Sequence, residues 1–193
     1  MDTRAIYNGR MTQLALVAQH VGVNERTLRR AVNQGTLRAS RPTPRTLDLP
    51  LSERQYVRRS WPLLGDLRRA LRTEHNVRFA LLFGSTATGN DGPGSDVDIL
   101  VDLADPSLER LVDLSQRLVA ATGRRVDLVR IQDAESDPDF LADVVAEGRV
   151  LVDRASEWPH LRRREVALRR HGSKLNEARL QSALSAIDRL VDS

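Results

Sequence analysis

Two apolar runs, each suited to a buried strand, lie near the middle of this chain and are joined by a loop with a distinctive polar signature. Val77 to Phe83 (VRFALLF) is bounded by turn residues and reads as a buried strand. It ends in Gly84-Ser85, ten residues follow from Thr86 to Ser95, and Asp96-Val97-Asp98 then opens Ile99-Leu100-Val101. The spacing is therefore G-S-x10-D-x-D. Side chains alternate along a strand, so Asp96 and Asp98 are expected on one face with their carboxylates close together. Two like charges so near each other are unfavourable unless a positive charge sits between them. The chain has no cysteine, so a metal must be held by oxygen or imidazole. Oxygen ligands at this spacing suit magnesium, which commonly carries nucleotide phosphates. Gly84 and Ser85 supply the complementary half, because a strand passing through glycine into a short helix offers backbone N–H groups and a hydroxyl to an anion. Asn90-Asp91-Gly92-Pro93-Gly94 is the flexible turn back to the second strand.

The pattern continues as an α/β alternation. A helix is expected from about Ser107 to Thr122, with Leu108, Leu111, Val112, Ser115, Leu118 and Val119 as its inner stripe and Gly123 as its stop. Arg124 to Val129 reads as a third strand that carries one acidic residue, Asp127, in an apolar context. A lone buried aspartate is costly unless paired or metal-bound, which makes Asp127 the natural third carboxylate. A helix over Asp139 to Glu147, a short strand over Arg149 to Val152 and a break at Trp158-Pro159 complete this part.

With these residues assembled, the stretch from Val77 to Asp153 resembles the DNA-polymerase-β-like nucleotidyltransferases, and among them the minimal nucleotidyltransferase (MNT) group. The resemblance rests on Phe83-Gly84-Ser85, the x10 spacing, Asp96-Val97-Asp98, Val126-Asp127-Leu128-Val129 and Glu147-Gly148-Arg149-Val150-Leu151. It implies an α/β (α+β) fold with a short mixed sheet flanked by helices. It also implies two Mg2+ ions and transfer of a nucleoside monophosphate, AMP from ATP, to a protein or RNA hydroxyl. Carried over by position, Gly84 and Ser85 hold the triphosphate, Asp96 and Asp98 bridge the metals, and Asp127 binds the second metal and helps deprotonate the acceptor. One departure stands out: many members have arginine before the glycine that follows, whereas Thr88 precedes Gly89 here, so that either triphosphate affinity is altered or Arg78, Arg124 or Arg125 supplies that cation.

Charge divides the chain into unlike parts. Residues 1–50 carry 8 basic and 3 acidic side chains, residues 51–75 carry 6 and 3, residues 76–157 carry 8 and 16, and residues 158–193 carry 8 and 4. A basic head, a helical connector, an acidic middle domain and a basic C-terminal extension are the expected units, with these boundaries. In the head, Leu14, Val17, Ala18 and Val21 mark a first helix that stops at Gly22, and Asn24 caps a second, ended by Gly35, with Leu28, Ala31 and Val32 inward. Arg26, Arg30 and Asn33 share its outer face and have the chemistry to read base edges. Leu37 to Leu49 reads as two strands around Pro42-Thr43-Pro44, with Arg38, Arg41 and Arg45 near the tip where a wing would meet phosphates. This order resembles the winged helix-turn-helix domains of the MerR and excisionase type over about 40 residues, and implies that Arg26, Arg30, Asn33, Arg41 and Arg45 bind operator DNA.

The connector is expected to begin with Ser52 and Gln55 as a capping box, to be interrupted at Pro62, and to resume through Leu64, Leu67 and Leu71. In the tail, Arg162-Arg163-Arg164 with Arg169 and Arg170 form a basic stretch, and Leu180, Leu184, Ile187 and Val191 form a stripe suited to a core or a homodimer seam. His20, His75, His160 and His171 lack paired ligand spacing, and Trp61 and Trp158 read as packing residues. No apolar run approaches the roughly 18 residues of a membrane span, and a start containing Asp2, Arg4 and Asn8 lacks a signal-peptide core, so a cytoplasmic protein is expected. The family likeness points to the DNA-binding antitoxin of a bacterial toxin–antitoxin pair, modifying a HEPN-type toxin. The alternatives are a transcription regulator that only senses nucleotide, and a tRNA-modifying toxin whose basic ends grip RNA.

Overall fold

The computed structural model describes residues 12–43 and 46–173, and the backbone of Ile6–Tyr7 and Arg10–Met11. Those two dipeptides form a small antiparallel pair, β1 and β2. Thr12 then caps α1 (Gln13–His20), its side chain accepting from the Ala15 N–H at 3.1 Å. Asn24 caps α2 (Glu25–Asn33) in the same way, accepting from the Thr27 N–H at 2.8 Å. Gly22 (φ +69°) makes the turn between them, as expected. A two-stranded antiparallel hairpin follows, β3 (Ser40–Thr43) with β4 (Thr46–Asp48). Arg45 lies outside the described residues, as do Leu180, Leu184, Ile187 and Val191.

The connector differs from expectation. It is one unbroken helix, α3 (Leu51–Thr73), that runs through Pro62, and it starts at Pro50 without a side-chain cap in place of a Ser52/Gln55 box. Pro62 is exposed, so the carbonyl it leaves unpaired can bond to water. Meanwhile Tyr56, Val57 and Ser60 before it, and Leu64, Leu67 and Leu71 after it, keep one buried stripe in phase. The far end of α3 is closed by Arg154, whose guanidinium donates to the carbonyls of Arg72 (2.8 Å) and Glu74 (2.7 Å).

A four-stranded mixed sheet forms the centre, ordered β7-β6-β5-β8. β5 (Val77–Phe83) lies antiparallel to both β6 (Val97–Leu103) and β8 (Arg149–Asp153), while β6 and β7 (Val126–Arg130) are parallel. Between strands come α4 (Gly84–Thr88), α5 (Leu108–Thr122), α6 (Ile131–Ala134) and α7 (Pro138–Glu147). A last helix is described over 157–173, with Pro159 tolerated in its first turn in place of the expected break.

Strand alternation sorts the core. Val97, Ile99 and Val101 of β6 face one cluster, with Leu64, Leu67 and Leu71 of α3 and Leu114 and Leu118 of α5, and this cluster continues without interruption to Leu14, Val17, Leu28 and Ala31 of the basic head. Leu100 faces the second cluster, with Phe79, Leu81, Leu141 and Val145. On α5 the buried stripe is narrower than expected, because Leu108, Val112 and Val119 are exposed and Leu114 takes the inner position.

Candidate active site

Register places the acidic residues. β5 and β6 pair so that Phe83 stands opposite Asp98, and β6 and β7 pair so that Asp98 stands beside Asp127. Asp96 lies just ahead of β6, where its backbone carbonyl accepts from Thr86 Oγ1 at 3.0 Å. The carboxyl of Asp98 is held above the ordinary aspartate range, first by burial and then by the negative charges of Asp127 and Asp96. Asp127 itself is exposed, which corrects the expectation of a buried carboxylate: its place follows from register with Asp98 and not from desolvation.

The turn after β5 touches this group. Gly84 has φ +68°, and a Cβ there would lie 2.5 Å from Asp98 Oδ2, so glycine is required on both backbone and steric grounds. Gly84→Ala is therefore expected to lower stability by about 1–2 kcal/mol, read as a fall in the urea midpoint without a change in slope. Ser85 opens the first turn of α4, and its hydroxyl makes no hydrogen bond among the described residues. Thr88 turns its hydroxyl back onto the carbonyls of Gly84 (3.3 Å) and Ser85 (3.2 Å), so it does not stand in for the missing arginine.

The three candidate cations have different surroundings. Arg78 pairs with Asp102 (3.5 Å), four residues beyond Asp98 along β6. Arg124 is a clamp: it donates to the Ser95 carbonyl (2.7 Å), Thr86 Oγ1 (3.2 Å) and Asp91 Oδ2 (3.0 Å), and so fixes the loop from α4 to β6. Arg125 is exposed and brings Nε to 2.7 Å from Asp96 Oδ1. Its N–H is not aimed along a hydrogen bond, and that buried oxygen has no hydrogen-bond donor. Arg125 is thus the cation nearest the carboxylates that is not committed to the scaffold.

Among the described residues no three Asp, Glu or His side chains close on a single point, and magnesium commonly takes one or two carboxylates together with substrate phosphates. The donor chemistry nonetheless fits a hard divalent cation, because Asp98 is destabilised by two neighbouring carboxylates and Asp96 retains a buried oxygen without a donor.

Sequence reasoning missed Arg149. This β8 residue is 2% exposed, forms a two-pronged ion pair with Glu53 (2.6 and 2.9 Å), lies 3.5 Å over the Tyr56 ring, and donates to the carbonyls of Ala87 (2.5 Å) and Thr36 (3.2 Å). The signal was a charge within the apolar run Gly148 to Val152. In the head, Arg26 and Arg30 are exposed and line a cleft against α3, whereas Asn33 Oδ1 accepts from Arg41 at 2.5 Å, so the residues assigned to DNA fall into two separate groups.

Residues 66–157, somewhat under half of the chain, match the family described as Polymerase beta, Nucleotidyltransferase. Among solved structures the chain is similar to one from the crystal structure of a toxin–antitoxin with AMP-PNP, at 24% identity and a TM-score of 0.52, covering 63% of this chain and 98% of that one. A chain of the tri-AMPylated Shewanella oneidensis HEPN toxin in complex with MNT antitoxin is similar at 21% identity and a TM-score of 0.50, covering 65% and 98%. In sequence the chain is 44% identical over 63 residues to the protein adenylyltransferase MntA of Thermococcus cleftensis, a match that covers 32% of this chain and 64% of that relative, less than two thirds of its length. No helix among the described residues is long and apolar enough to cross a membrane.

Proposed function

We propose that the protein is a magnesium-dependent nucleotidyltransferase that moves AMP from ATP to a hydroxyl on a protein, as the antitoxin of a pair with a HEPN-type toxin. The observation that carries this reading is the placement of Asp98 beside Asp127 in register, with Asp96 one step ahead and Gly84 packed against the Asp98 carboxylate. The similarity to a protein adenylyltransferase supports adenylate as the group moved. Asp96, Asp98 and Asp127 would hold the magnesium, which neutralises phosphate charge and activates the attacking oxygen when bound. Gly84 and Ser85 present the start of α4 to the triphosphate, and Arg125, paired with Asp96, is the exposed cation beside it. Arg124 keeps the loop in place without touching substrate.

For the head we propose operator binding by a winged helix-turn-helix, supported by the order α1, turn, α2, hairpin and by the exposed Arg26, Arg30 and Arg41. Within this proposal, 1–50 is the DNA-binding unit, 51–75 the connector, 76–157 the transferase and 158–193 the basic extension.

The test uses purified protein, magnesium and host lysate with ATP labelled at either the α or the γ phosphate. Label from the α position on a single protein band, none from the γ position, and none with the Asp96→Ala/Asp98→Ala variant is the expected result. Label on RNA would replace the protein acceptor with a nucleic-acid one, and no label above the variant would leave a nucleotide-sensing regulator.

A further inference from the structure

Away from the carboxylates, α2 and α3 enclose a cleft of about 490 Å³, within the size range of small-molecule sites. Arg26 and Arg30 reach it from α2, and Trp61, Arg68, Arg69 and Arg72 from α3, with no carboxylate in the lining. Only Arg69 has an acidic partner among the described residues, Asp66 at 3.0 Å, on the same helix. Arg68 donates from Nη2 to Gln34 Oε1 at 2.5 Å, while its buried Nε has no acceptor. Its affinity for a proton is pushed down to about 10, by burial first and then by Arg72 and Arg30. Guanidinium groups held this close repel one another, and a polyanion bonded by their forks removes that repulsion.

We propose that this cleft is a second anion site, separate from the transferase site, that takes a small polyphosphorylated ligand of nucleotide size. The phosphates are held by Arg30, Arg68 and Arg72, and Trp61, half-buried in the wall, offers a ring on which a base stacks. Gly65 keeps the wall between them open, since a Cβ there would meet nothing within 4 Å. The same phosphate chemistry occurs along a nucleic-acid backbone. The recessed position of Arg68 between two helices favours the small ligand, because a duplex presents its phosphates on a convex surface. The site shares Arg26 and Arg30 with the face proposed for DNA, but it depends on neither DNA binding nor nucleotidyl transfer.

Calorimetry on the full chain in EDTA, with sodium tripolyphosphate and then ATP as probes, isolates this site from one that needs a divalent cation. The expected result is saturable one-to-one binding of tripolyphosphate, tighter binding of ATP, and loss of that margin in Trp61→Leu. Arg68→Gln/Arg72→Gln is expected to weaken both probes by at least about tenfold. Gly65→Leu fills the cleft without removing a charge, replaces a helical glycine with a better helix former, and is expected to weaken binding as much. Absence of saturable tripolyphosphate binding in the wild type overturns the proposal, as does full binding retained by Gly65→Leu. So does a random-sequence DNA duplex that binds and is weakened by Gly65→Leu while tripolyphosphate does not bind, which would make the cleft part of a nucleic-acid surface.

Discussion

Asp98→Asn is expected to reduce nucleotidyl transfer by at least about 10³-fold, on the scale of losing a main electrostatic contributor to the transition state, and at the same time to raise the thermal stability of the cation-free protein. Both effects come from the position of this carboxylate beside Asp127, with Asp96 one step ahead. Without a cation, burial and two like charges hold the Asp98 carboxyl above the ordinary aspartate range, so the folded state binds its proton more tightly than the unfolded chain does. Above the folded-state value the ionised carboxylate opposes folding in full; the penalty fades as pH falls and is gone below the unfolded value of about 3.8. An asparagine of similar shape removes the charge, so the variant should melt a few degrees higher than wild type in EDTA at neutral pH, with the gap closing as pH is lowered toward 4. Magnesium should stabilise the wild type and leave the variant nearly unchanged. Melting curves in EDTA and in magnesium, beside α-phosphate transfer, measure both effects. A variant that loses transfer and also melts lower in EDTA would show Asp98 to be a structural residue.

How much of this was legible in the sequence depends on the range of the forces involved. Local signals read well: Asn24 caps α2 as expected, Gly22 and Gly123 turn the chain at positive φ, and the apolar runs at Val77–Phe83 and Ile99–Val101 lie in strands. The spacing G-S-x10-D-x-D placed Gly84 against Asp98 because a hairpin of antiparallel strands brings its ends together. What failed was inference from one residue without its tertiary setting. Pro62 breaks helices by local rules, but a buried stripe on both sides of it carries α3 through. Asp127 was assigned by supposed burial, yet it is exposed at the sheet's edge, and only pairing of β7 with β6 sets it beside Asp98. Arg124 was one of three arginines offered as the cation for phosphate, whereas long-range bonds to Ser95, Thr86 and Asp91 commit it to the loop. Arg149 was read only as part of a family-like ending, since Glu53, Tyr56, Thr36 and Ala87 converge on it from three other parts of the chain.

That convergence leads to the second large effect. Arg149→Met is expected to destabilise the protein by about 3–5 kcal/mol, the range for breaking one side of a buried ion pair. The setting is dry: Arg149 is 2% and Glu53 4% exposed, and burial pushes the Tyr56 hydroxyl up to about 12. Removing the guanidinium leaves Glu53 with the Arg38 N–H at 3.0 Å as its one hydrogen-bond donor among the described residues, and takes a donor from the carbonyls of Thr36 and Ala87. Glu53→Leu added to Arg149→Met removes the stranded charge, so the double variant should be more stable than Arg149→Met alone, with a coupling of about 1–3 kcal/mol in denaturant unfolding. Transfer should not recover with it. Arg149 Nε is bonded to the Ala87 carbonyl in α4, the helix that begins at Gly84-Ser85, and no apolar replacement restores that bond. Stability rescued without activity would assign Arg149 a positioning role for the turn at Gly84-Ser85, through the same side chain that ties the head at Thr36 and the connector at Glu53 to the sheet. Recovery of both together would mean that the ion pair only holds the fold.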